Sequence, residues 1–231
     1  MRVHKKFNVL LSLVCLLSNM DKKHEVLTSV KDGNLIEKRR QQMIRAAVNL
    51  FKQKGFHRTT TREIAKEAGF SIGTLYEYIR TKEDVLYLVC DSIYHEVHGR
   101  LSEFQPEKGT TMEDLKNAIY HYYGVIDDMS DEFVVMYQES KSLPKKALEY
   151  VLTKELEMVD IFHKIMVGCM EAGELKLTAE QAKLYAHTLA VQGQMWAFRR
   201  WALRKEFTIE QFTDLQVQLL LSGMGKAKDV L

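Results

Sequence analysis

From Lys38 to Arg62 the sequence carries eight basic residues, Lys38, Arg39, Arg40, Arg45, Lys52, Lys54, Arg58 and Arg62, and no acidic one. Basic side chains at that density suit phosphate, the sequence-independent part of nucleic-acid affinity. The run leads into TTTREIAKEAGFSIGTLYEYIRTKEDVL, Thr59 to Leu86, where hydroxyls, small residues and another arginine alternate. Arginine can hold guanine bidentately, threonine can offer a hydroxyl or meet a thymine methyl, and tyrosine can donate to phosphate. A solvated basic face on an ordinary helical hairpin would show the same charge. A second constellation is Asp91, His95 and His98, which share one helical face and are metal-ligand types. Exposed histidines are the blander reading, and no metal is assigned to them. There is no nucleophile–base–acid set, phosphate loop or glycine fingerprint, so neither an enzyme nor a cofactor is expected.

These residues need helices to position them. In Asn34–Gly55 apolar residues recur at three- and four-residue steps, which predicts a helix closed by Gly55. Further helices are predicted at about Thr61–Ala68, Ser71–Ile79 and Thr81–Leu101. Ile64, Ala65 and Ala68 share one face of the second; Leu75 and Ile79 share one face of the third. Gly69 supplies a left-handed turn between them, and Ser71 a cap. That is the outline of a helix-turn-helix, with Gly73 and Glu77 facing outward and Thr74 and Tyr76 on the flanks. After a loop holding Pro106 and Gly109, five more helices are expected, at about Met112–Met129, Asp131–Lys141, Pro144–Ala172, Thr178–Leu203 and Thr208–Met224. No alternating strand pattern of useful length and no internal repeat appears. The expected fold is all-α. Residues 1–33 would be a disordered arm, 34–80 a helix-turn-helix domain, and 81–231 a helical bundle for ligand binding and dimerisation.

Composition sets outer limits. The 231 residues are 46% hydrophobic and 28% charged, ordinary values for a soluble globular chain. Net charge is only +2, so attraction to a polyanion must come from local clustering. Cys15, Cys90 and Cys169 form no C-x-x-C pair, which fits a reducing cytoplasm. The basic start and the apolar run Phe7–Leu17 outline a secretory signal, but no small-x-small cleavage site follows and the run is too short to span a bilayer. Residues 1–19 are therefore read as a dispensable arm, with Met20 an alternative start.

The stretch AAVNLFKQKGFHRTTTREIAKEAGFSIGTLYEYIRTKEDVL resembles the DNA-binding domain of TetR-family transcriptional regulators. The resemblance runs from about Lys38 to Leu88. It rests on the A-x-x-L-F-x-x-x-G-F end of the first helix, T-T-x-x-I-A in the second, A-G-F-S-x-G-T-L-Y in the third and K-E-D-x-L opening the fourth. It implies a homodimer on double-stranded DNA with a two-fold symmetric operator, and a C-terminal ligand-binding domain. Carried over by position, Thr61 and Arg62 reach phosphate or a base edge. Ser71, Gly73, Thr74 and Tyr76 lie along the recognition helix, and Tyr78 and Lys82 grip phosphates. Two positions depart mildly: Tyr78 stands where histidine or tyrosine is usual, and Ile79 where phenylalanine is commonest.

The C-terminal half is rich in aromatics and methionines, most of which at helical spacing are core. Such residues can also line an adaptable apolar pocket. Tyr120, Tyr123, Phe133, Met136, Tyr137, Phe162, Met166 and Trp196 are the candidates for it. VVMYQESKSLPKKALEYV is similar to the corresponding stretch of TetR-family regulators of fatty-acid and sterol-side-chain catabolism, which implies an acyl-CoA effector. Lys141, Lys145, Lys146, Arg199, Arg200 and Arg204 would then be candidates for its phosphates. Dimerisation is expected through two stripes, Leu184–Thr188–Val191–Met195 and Phe212–Leu215–Leu219 with Met224. Alternatives remain open: a drug-sensing repressor of an efflux pump, a DNA-binding factor without a ligand, or a secreted or membrane-tethered helical protein.

Overall fold

The computed structural model describes residues 26–102 and 110–225. All its regular elements are helical: α1 (Gly33–Lys54), α2 (Thr61–Glu67), α3 (Ile72–Tyr76), α4 (Lys82–Leu101), α5 (Met112–Asp128), α6 (Ser130–Glu139) with a 3₁₀ turn (Ser140–Ser142), α7 (Lys145–Glu171), α8 (Ala179–Phe198), α9 (Arg200–Leu203) and α10 (Ile209–Gly225). The starts follow local chemistry. Thr60, Thr81, Thr111 and Thr178 each cap a helix by accepting from the third helical amide, and Glu63, Asp84, Asp114 and Gln181 return the bond.

The first three helices pack around Met43, Ala47, Phe51, Ile64, Ala65, Leu75 and Ile79. The turn after α2 is a Schellman motif: Phe70 N–H reaches the Ala65 carbonyl at 2.8 Å and Gly69 N–H the Lys66 carbonyl at 3.1 Å. Gly69 makes it possible at φ +77°, where a side chain would be strained. Helix α4 is buried on nearly every side. It packs on α1 and on α5, α6 and α7, so the N-terminal unit and the bundle share one rod. Lys52 of α1 and Arg200 both bond the Asp131 carboxylate of α6, a second fastening between the halves.

Four expectations are corrected. Helix α3 ends at Tyr76 rather than Ile79, because Glu77 and Tyr78 amides tighten onto Thr74 and Leu75; Leu75 and Ile79 stay buried all the same. The α6 helix ends at Glu139 and gives way to the 3₁₀ turn. The expected Thr178–Leu203 helix breaks at Arg199 (φ −112°, ψ 19°), where Arg200 and Arg204 turn back to Asp131 and Asp127. The part of the arm that is described, residues 26–32, is bonded in place: Arg40 donates to the Val26 carbonyl at 2.6 Å, and Thr28 Oγ1 and Ser29 N–H donate to the Glu77 carbonyl at 2.8 and 3.0 Å. Val26 itself is buried. The expectation about residues 1–19 lies outside the described residues.

Candidate nucleic-acid interface and ligand cleft

Arg62, Ser71, Gly73 and Tyr76 are exposed on one side of α2 and α3, with Thr61 and Thr74 half-buried beside them. Their polar atoms are already organised. Ser71 Oγ caps α3 by accepting the Thr74 amide at 3.0 Å and lies 3.0 Å from the Thr74 hydroxyl. Tyr76 and Thr61 hydroxyls meet at 3.1 Å across the two helices. A Cβ placed on Gly73 would meet only Ser71 Oγ within 4 Å, so the backbone there is open outward. The strap at Thr28 and Ser29 satisfies the carbonyl of Glu77, just past the helix end. Arg39, one of the eight basic residues of the run, holds its guanidinium 4.9 Å from the Phe70 ring at the helix-turn-helix turn.

Two residues expected to grip phosphates are placed otherwise. Tyr78 is buried (3% exposed), packed with Leu75 and Ile79 in the core. Lys82 directs its ammonium to the carbonyls of Phe56, His57 and Thr59, at 2.8, 3.2 and 3.0 Å, and lies over the Phe56 ring. A phosphate contact by Lys82 would compete with those three bonds. Lys82→Ala should therefore lower thermal stability by about 1–3 kcal/mol as well as weakening DNA binding, because it leaves the part-buried carbonyls of Phe56 and Thr59 under-satisfied. A melting curve unchanged by the substitution would contradict that structural role.

The aromatic residues proposed for a pocket divide. Phe133, Met136, Phe162, Met166, Tyr123 and Trp196 are buried. Trp196, Phe212, Tyr123, Tyr122 and Phe162 run as a row of rings 5.1 to 6.0 Å apart. Trp196 Nε1 donates to Asp127 and Tyr123 to the Leu189 carbonyl, so both polar ends are satisfied. Tyr120 and Tyr137 are not interior. Tyr120 is partly exposed and donates to Asp214 of α10, a bond that pushes its phenol up to about 12. Tyr137 is 71% exposed and stacks on Phe198. The aromatic count placed them inside; their helical faces put them on the outer wall. The cations proposed for CoA phosphates are not gathered either: Arg200 and Arg204 hold Asp131 and Asp127, and Arg199 lies over Trp201.

A cleft of about 410 Å³ opens instead between α4 and α7, lined by Tyr94, His95, His98, Tyr150, Lys154, Glu157, Met158 and Ile161 among others. The His95–His98 face flagged in the sequence forms part of its wall. Asp91 does not join a metal set there: its carboxylate accepts from the Tyr150 hydroxyl at 2.8 Å, and His95 Nδ1 lies 2.8 Å from its carbonyl. Lys154 pairs with Glu157 at 2.6 Å. His95 also lines a groove of about 800 Å³ beside α1, bounded by Val26, Arg40 and Tyr87, so the cleft lies next to the seam with the N-terminal unit.

Comparison with known proteins decides the family. Residues 43–87 match the family model of bacterial regulatory proteins of the tetR family, and residues 108–224 match that of the tetracyclin repressor-like C-terminal domain. The chain belongs to the TetR family. As a TetR-family regulator it binds DNA through its helix-turn-helix. It is 27% identical to the HTH-type transcriptional regulator HbdR of Aromatoleum sp. (strain CIB), over 91% of each chain. It is 29% identical to the fatty acid metabolism regulator protein of Bacillus subtilis (strain 168), over 58% of this chain and 70% of the relative. Its fold matches the structure of AibR in complex with isovaleryl coenzyme A and operator DNA, with TM-score 0.66, 18% identity and 78% and 97% of the two chains covered.

Proposed function

We propose that this TetR-family regulator is a repressor that binds a palindromic operator as a homodimer and is released by an apolar acyl derivative, an acyl-CoA. The exposed face of Arg62, Ser71, Gly73 and Tyr76, with half-buried Thr74 bonded to Ser71 and Tyr76 bonded to Thr61, carries the DNA part of the reading. Thr61 adds a hydroxyl at its edge. Two recognition helices related by a two-fold axis meet successive major grooves about 34–36 Å apart. Selection from a random DNA pool should return palindromes; single half-sites or asymmetric sites would count against a dimer. Thr74→Ala should relax base preference at its half-site position by about 1–3 kcal/mol of discrimination, read in the same selection.

The dimer surface proposed is the apolar face left open on α8 and α10, with Leu184, Val191, Leu215 and Leu219 all exposed. Phe212 is not part of it, being buried against Tyr123 and Trp196. The acyl effector is supported by two similar proteins, a fatty acid metabolism regulator and a protein whose structure holds isovaleryl coenzyme A. Rod α4 offers the coupling: a ligand that prefers one placement of α7 against α4 shifts the spacing of the recognition helices only by its difference in affinity for the two states. A coupling of about 1–3 kcal/mol would lower operator affinity roughly 5- to 150-fold. Titrating acyl-CoAs of increasing chain length against an operator complex tests it. Release by cationic drugs or dyes, with acyl-CoAs inert, would make the protein a drug-sensing repressor instead. Action on DNA supports a cytoplasmic location as part of this proposal. Among the described residues no helix is long and apolar enough to cross a membrane.

A further inference from the structure

We infer that the α4–α7 cleft is the effector site and that it selects a neutral acyl carbonyl, as in a thioester, over the carboxylate of a free acid, with the Tyr94 hydroxyl as the donor. This rests on the effector reading above and adds the place and the discrimination.

Tyr94 lies on the cleft wall and is 5% exposed. Its hydroxyl has found only the Met136 thioether sulfur, 3.2 Å away, a weak acceptor. A stronger acceptor arriving in the cleft would be preferred, because a buried donor left poorly matched costs free energy. Behind it, the wholly buried Tyr122 hydroxyl lies beside Gln194 without a hydrogen bond of good geometry. Burial raises the pKa of both phenols, so each remains a neutral donor at physiological pH. Glu155 lies close enough for its charge to act on Tyr94, Tyr122 and Cys90, and the Gln194 amide points to its carboxylate at 3.5 Å. The cleft wall thus carries one buried O–H donor, Tyr94, whose present acceptor is weak.

A carbonyl oxygen needs one such donor. A carboxylate needs a cation, since an unpaired anion moved into an apolar site is strongly penalised. The one lysine on the cleft wall, Lys154, is held by Glu157. Met158 and Ile161 provide the apolar wall for a chain. A volume of about 410 Å³ suits an acyl group with part of its thiol carrier and leaves the nucleotide of a CoA ester outside. The pantetheine ester should therefore serve almost as well as the CoA ester.

The test is calorimetric binding of octanoyl-CoA, octanoyl-pantetheine and octanoate to the full chain. Both thioesters should bind within about threefold of each other, and octanoate at least about tenfold more weakly. Tyr94→Phe should weaken the thioesters about 5- to 10-fold and leave octanoate unmoved. Glu157→Gln, which releases Lys154, should strengthen octanoate about 5- to 10-fold, a change that a purely structural residue would not produce. Ile161→Trp should fill the cleft and abolish thioester binding, with the thermal midpoint of each variant checking the fold. Thioester binding that survives Ile161→Trp, or equal affinity for acid and thioester, overturns the inference while the effector reading stands. Absence of any thioester binding to the wild-type chain takes down both.

Discussion

Leu219→Asp and Val191→Asp are each expected to give a monomer whose operator affinity falls to the non-specific level, about 1,000-fold or more below wild type. Leu219 is 65% exposed and Val191 62% exposed, so neither change disturbs the subunit's own core. Monomeric soluble proteins rarely leave contiguous leucines open in this way, and a second copy is the partner that the proposed two-fold operator requires. A carboxylate buried between two copies would lose its water without gaining a cation. Sedimentation reads the oligomer and fluorescence anisotropy the operator. Two variants that stay dimeric would move the interface elsewhere.

Gly193→Ala is expected to overpack the core and destabilise the chain. A Cβ there would sit 2.4 Å from Tyr123 Cε1 and 2.8 Å from Ile126 Cδ1, well inside contact distance. Both neighbours are buried on α5, and Tyr123 is fixed by its bond to Leu189, so neither can swing aside cheaply. Helix α8 would have to lift from α5. Overpacking of this kind costs about 1–3 kcal/mol, or roughly 2–12 °C of melting temperature for a chain of this size. Because α8 also carries Leu184 and Val191, its displacement should weaken dimerisation in parallel. A melting temperature equal to wild type would show that α5 and α8 have room the structure denies.

The helix-turn-helix was legible because its signals are local: Gly69, the Ser71 cap, and the Leu75–Ile79 spacing all act within one or two turns. What the chain could not announce were pairings between distant segments. Lys82 reads as a free cation until the α1–α2 loop folds under it and presents three carbonyls. Tyr120 and Tyr137 read as interior by type, yet their helical faces turn them outward. The cleft depends on how α7 lies along α4, and its clue was modest: His95 and His98 on one face, noticed for metal chemistry instead. The break at Arg199 also escaped, because arginine is a good helix former; only Asp127 and Asp131, some 70 residues earlier, pull it apart.

Asp131 has a bearing on how ionic strength would act on this regulator. Its carboxylate is shared by Lys52, within the basic run of the N-terminal unit, and by Arg200 beyond α8. All three side chains are about 30% exposed, so mobile ions reach them. Added salt therefore screens the phosphates of DNA and, at the same time, slackens a clasp inside the protein. The slope of log affinity against log salt, ordinarily read as a count of neutralised phosphates, would here mix intermolecular with intramolecular ion release.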